Sequence, residues 1–179
     1  MIPIGYMAKR VCPRPVWLQA AQVIDIYSVS NCVSEDFADW INYWKHNGYW
    51  FFDSPEVIRD IAQENLIELG GTRLFYYEAY EMEFDGEAWQ AYAPEPSFQT
   101  NVLFPTRKQI EGFDVVTFTA GTSPACSPLS CNSLAGELPT NSHCLFPSFE
   151  VAKTTVQAGT FNEAEPGPYR IFSVYTVTS

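Results

Sequence analysis

TRLFYYEAYEMEFDGEAWQAY, residues 72–92, is the stretch on which the fold turns. Side chains of a strand alternate between two faces, so Tyr80, Met82 and Phe84 share one side and Glu81, Glu83 and Asp85 the other. Asp85-Gly86 supplies the positive-φ chemistry of a tight turn, and residues 87–92 return as a partner strand. The segment therefore reads as a β-hairpin with one core face and one acidic face.

Working towards the N-terminus, Ser54-Pro55-Glu56 carries the order of a helix start: a capping hydroxyl, a proline at the first helical position and an early acid. Val57, Ile58, Ile61, Ala62 and Leu66 are spaced as its buried stripe, and Gly70-Gly71 is the expected stop. Residues 49–52 and the alternating run VIDIYSVS, 23–30, read as strands. Between them Ser34 caps a helix whose apolar stripe is Phe37, Trp40, Ile41 and Trp44, ending at Lys45, His46 and Asn47-Gly48.

Towards the C-terminus, residues 102–104 and 113–119 read as strands. Ser148 caps a helix over 149–157, and Pro166-Gly167-Pro168 leads into a final strand, YRIFSVYTV, central in the sheet or next to central. The resulting order, β-α-β-α-β-β-β-β-loop-α-β, predicts a single α+β domain over 1–179. Its sheet should be mixed and largely antiparallel, with about three helices packed mainly on one face.

Composition agrees with a packed core. Apolar residues are 46% of the chain, charged residues 17% and aromatic residues 16%, far from the low-hydrophobicity, high-charge regime of disorder. The first residues lack the charge-then-apolar pattern of a leader, and no run approaches the roughly 20 apolar residues that span a bilayer, so neither export nor membrane contact is expected. Five cysteines, an odd number, point to free thiols and a cytoplasmic setting. The net charge of −11 repels phosphate backbones and argues against nucleic acid, while suiting a basic protein partner.

Chemistry concentrates in the irregular stretch 120–148, which holds Cys126, Cys131, Cys144 and His143. A long loop without regular structure in a compact domain is frequently functional. Three readings fit it. With a helical turn over 132–138, Cys131 lies at its N-terminus, where amide groups favour a thiolate; His143 is then the base, oriented by Asn141 or Asn132. Alternatively Cys126, Cys131, His143 and Cys144 form a zinc clip, although adjacent His143 and Cys144 tend to diverge. Or Cys144, Leu129 and Leu138 simply pin the loop to the core.

Charge layout gives a second candidate. Glu78, Glu81, Glu83, Asp85, Glu87 and Glu95 occupy 74–106 without a Lys or Arg, whereas 1–24 carries Lys9, Arg10 and Arg14 without an acid. Residues 1–22 read as a basic N-terminal arm able to clasp the hairpin. Glu81, Glu83, Asp85 and Glu87 are the expected binding residues, although a charged edge hairpin also protects against strand pairing. GxGxxG, GxxxxGK[ST], HExxH and GxSxG are all missing, so no cofactor is expected. The sequence best supports a non-catalytic binding, inhibitory or adaptor protein, with the thiol enzyme and the zinc clip as alternatives.

Overall fold

A computed structural model describes residues 1–30, 47–92, 101–118, 124 and 126–178. The helix expected over 34–46, with His46, lies outside these residues, as does Cys32.

The hairpin read from 72–92 is present. Strand β4 (Thr72–Phe84) turns at Asp85, whose carboxylate accepts the amides of Glu87 and Ala88 (both 2.8 Å), and returns as β5 (Trp89–Ala91). β4 also pairs with β1 (Ile2–Arg10) and β7 (Tyr169–Val177), and β7 pairs with β6 (Lys108–Thr117). The order β1-β4-β7-β6 makes β7 central, as its apolar run predicts, and every described pairing is antiparallel. The expected α+β fold with a largely antiparallel sheet is what the chain adopts.

Two helix starts follow from their caps. In α1 (Pro55–Glu64) the Ser54 hydroxyl accepts the Val57 amide, and in α3 (Phe149–Gln157) Ser148 does the same for Val151. The first helix ends sooner than Gly70-Gly71 suggests. Asn65 closes it by donating to the Ile61 carbonyl, Leu66 turns to φ +56°, and its side chain is exposed rather than part of the buried stripe.

Both edges of the sheet are covered, and a glycine admits each cover. Gly5, at φ +133°, lets residues 51–52 approach so closely that a Cβ there would lie 2.6 Å from the Phe52 carbonyl oxygen. Tyr6 and Phe52 exchange two backbone hydrogen bonds at this point. Gly112, at φ +151°, does the same on β6, where a Cβ would meet Leu145 at 2.7 Å. Phe113 and Phe146 exchange the corresponding pair. At Tyr6 and Phe113 the edge carbonyl and amide are thereby paired and cannot template a further strand. Of the segments read as strands, 49–52 is the irregular cover on β1, making only the isolated Tyr6–Phe52 bridge, and 102–104 stays outside the sheet.

Two apolar clusters sandwich the sheet. Val115, Tyr169 and Ile171 pack with Ala152 and Val156 of α3. Met7, Phe75, Tyr77, Val116, Phe172 and Val174 pack with Tyr27, Val29, Phe51 and the α1 residues Ile58, Ile61 and Ala62. Two buried charged groups of the second layer sit in a hydrogen-bonded network. Asp114, fully buried, accepts the Ser28 hydroxyl and Val29 amide (both 2.8 Å) and the Ser127 hydroxyl (2.6 Å). Lys9, also buried, donates to the carbonyls of Ser28 (2.9 Å) and Ser30 (2.8 Å).

This network corrects two expectations. Of residues 23–30 only Asp25–Ile26 (β3) pairs as a strand, with β2 (Cys12–Pro13), because the rest bends inward to feed Asp114 and Lys9. Residues 1–22 are not a free basic arm: 2–10 are a sheet strand, Lys9 points into the core, and Arg10 and Arg14 donate to backbone carbonyls of Glu68 and Ala20. None of these three is seen on the acidic hairpin.

Candidate functional site

The cysteine-bearing segment folds as a packed cover on β6, as the structural reading expects. Ser127 precedes a single helical turn, α2 (Pro128–Cys131), followed by a 3-10 turn over Leu134–Gly136. Leu129, Ala135, Cys144 and Phe146 are buried in one cluster, with Leu138 packed against it.

Cys131 therefore closes a helical turn instead of opening one, which removes the amide donors and the dipole sign that the nucleophile reading requires. Its sulfur is engaged in a disulfide. A disulfide sulfur offers no thiolate, and such bonds belong mainly to oxidising settings, so the five cysteines do not argue for a reducing one. Cys12, Cys126 and Cys144 carry thiols. Burial pushes the Cys144 thiol up to about 12, and burial with nearby Glu165 raises Cys126. Alkylation of the native protein near neutral pH is accordingly expected to be slow at Cys126 and Cys144, and to reach Cys131 only after reduction. Mass spectrometry of the labelled peptides checks this, and one rapidly labelled cysteine among the three contradicts it.

His143 does not face a thiol either. Its Nδ1 lies 2.5 Å from Asp25 Oδ1 and its Nε2 3.7 Å from Glu111 Oε2. The Tyr27 ring stacks on the imidazole at 4.0 Å. Asn141 orients the backbone rather than the ring: its Oδ1 accepts the amides of His143 and Leu145, and its Nδ2 donates to the Glu111 carbonyl. With a carboxylate on each nitrogen, the imidazole works as a clamp between 24–27, β6 and the 141–145 turn. Asp25 and Glu111 are the partners that sequence reasoning missed, and nothing local in the chain marks them. Among the described residues no three His, Cys, Asp or Glu side chains are grouped to hold a metal. The zinc clip of Cys126, Cys131, His143 and Cys144 is not assembled.

The acidic hairpin divides into two kinds of residue. Glu83 is only 17% exposed in its side chain and is held by Arg170, whose Nε and a terminal nitrogen both reach its Oε2 at 2.9 Å. That guanidinium is itself sandwiched 3.3 Å from the Tyr92 ring centroid and 3.7 Å from that of Phe118. Glu83 is thus a structural ion-pair member, not a free binding residue. Glu78 is likewise satisfied, by Lys108 and the Tyr175 hydroxyl. Glu81, Asp85 and Glu87 are exposed, and among the described residues none of them is in an ion pair.

The aromatic side of the hairpin, opposite Glu81 and Glu83, packs onto α3. Tyr80 meets Trp89 at 5.5 Å and Phe149 at 4.9 Å between centroids, both edge-on, and Lys153 of α3 lies above them. At the far end of the sheet an open groove of about 430 Å³ is lined by Tyr6, Leu74, Leu103, Phe104, Val177 and the first turn of α1. The Tyr6 hydroxyl holds its outer wall through the Leu103 carbonyl at 2.6 Å.

No family model, curated protein or solved structure matches this chain. Among the described residues no helix is long and apolar enough to cross a membrane.

Proposed function

We propose that the chain is a non-catalytic binding protein, of the inhibitory or adaptor kind, that docks a basic protein partner on the β4–β5 hairpin. The observation that carries this reading is the contrast within one strand pair. Glu78 and Glu83 are each matched by a cation of the same chain, while Glu81, Asp85 and Glu87 are exposed and, among the described residues, unmatched. Like charges gathered without counter-charges raise the potential locally and favour a complementary surface, adding more to association rate and specificity than to raw affinity. Against the competing thiol reading, Cys131 is tied in a disulfide and His143 is held between Asp25 and Glu111.

A fluorescent Lys-rich peptide tests the reading by anisotropy. Binding to the wild type should weaken as salt rises, and Glu81→Lys with Glu87→Lys should weaken it about tenfold or more. Asp85 is left in place because it caps the turn, and Glu83 because it anchors Arg170. Equal affinity of the double variant and the wild type would contradict the assignment.

A further inference from the structure

Resting on that docking surface, we infer that Tyr80, Trp89 and Phe149 form a cage for a quaternary ammonium group, specifically a trimethylated lysine of the basic partner, with Lys153 as its resident occupant. The Lys153 Nζ lies 5.2 Å from the Tyr80 centroid, 5.6 Å from Trp89 and 5.7 Å from Phe149. All three distances fall inside the roughly 6 Å over which a ring face attracts a cation.

The cage is built from two elements that the fold fixes. Tyr80 and Trp89 come from the hairpin, Phe149 and Lys153 from α3, and the rings stand at 74° and 68° to one another as walls. Among the described residues the buried indole N–H of Trp89 has no acceptor. Its indole face is the best of the aromatic cation receptors.

Lys153 is a replaceable occupant. Among the described residues it has no ion pair, and its one polar contact is with the Tyr80 hydroxyl at 3.4 Å. A partly exposed contact of this kind holds a primary ammonium weakly, because the ammonium is strongly hydrated and water competes for it. A quaternary ammonium has no N–H to hydrate and loses less on entering the rings. The exposed carboxylates of Glu87, in the hairpin turn, and Glu150, next in sequence to Phe149, add negative potential that favours a cationic chain.

The test uses the full chain as wild type and as Lys153→Met, which keeps an apolar stem and a good helix former while removing the ammonium. The probes are tetramethylammonium and two Lys-rich peptides, identical except for one trimethyllysine, followed by the Trp89 indole resonance and by anisotropy. Lys153→Met should bind tetramethylammonium about fivefold more tightly than the wild type, with the Trp89 signal moving, and should prefer the methylated peptide by a similar factor. Phe149→Leu added to Lys153→Met should abolish that preference while the unmodified peptide still binds.

Tetramethylammonium binding without a preference between the peptides would restrict the cage to free small cations and overturn the trimethyllysine assignment. An unmoved Trp89 signal with equal binding of both peptides would overturn the cage and leave the hairpin as the docking surface. Failure of both peptides to bind would instead overturn the hairpin reading, and the tetramethylammonium titration would still decide the cage.

Discussion

An Asp114→Ala variant is expected to lose about 3–5 kcal/mol of stability, enough to leave much of the protein unfolded. The substitution strands the Ser28 hydroxyl, the Val29 amide and the Ser127 hydroxyl in a dry interior and removes the negative charge that Lys9 faces. Asp114→Asn should cost much less, because an amide can still accept from Ser28 and Val29 while the Ser127 hydroxyl rotates to accept. The pair of variants also yields a pH signature. Burial raises the Asp114 carboxyl above its ordinary value, against the opposing effects of its three hydrogen bonds and Lys9. An acid raised in the folded state contributes stability below its unfolded value of about 3.9 and loses that contribution as pH climbs through the folded value. The stability of the wild type relative to Asp114→Asn should therefore improve as pH falls from about 7 to about 4, since other groups cancel in the difference. Urea melts of both proteins across that range check the sign, and a difference that is flat or reversed contradicts it.

Arg170→Ala is expected to be comparably severe, at about 3–5 kcal/mol. It deletes a side chain packed between two rings and leaves the Glu83 carboxylate part-buried without its cation. Lysine is not a conservative replacement here, because it lacks the planar group that stacks on Tyr92 and Phe118 while reaching one carboxylate oxygen from two nitrogens. Arg170→Lys should recover less than half of the loss, and Arg170→Met with Glu83→Gln should recover most of it, since a buried ion pair is replaceable by apolar and neutral groups. Thermal denaturation of the set distinguishes these outcomes. Equal stability of Arg170→Ala and the wild type would mean that the sandwich contributes only contact and no energy.

The elements with strong local signals were legible in the chain. Ser54-Pro55 and Ser148 mark helix starts because capping is a contact over three residues, Asp85-Gly86 marks the turn for the same reason, and β7 shows its central place by apolar content. What escaped was every feature made by residues distant in sequence. Nothing near Glu83 announces Arg170, 87 positions away, and nothing near His143 announces Asp25, 118 positions away. The run 23–30 has the alternation of a strand, yet the buried charges of Lys9 and Asp114 draw its backbone out of any ladder. The same logic reassigned the candidate site. A helical turn one step earlier than expected, and a disulfide, turned Cys131 from a nucleophile into a tether. Two of the five described acids of the ribbon, Glu78 and Glu83, proved to be in internal ion pairs, which leaves Glu81, Asp85 and Glu87 as its exposed carboxylates.

Amide chemical-shift mapping with the Lys-rich peptide measures that surface most directly. Perturbations should cluster on β4 and β5 from Tyr80 to Ala91 and on the first turns of α3, sparing β1 and the groove around Leu103 and Phe104. A map centred on the groove, or one without any cluster, would contradict the hairpin as the docking site.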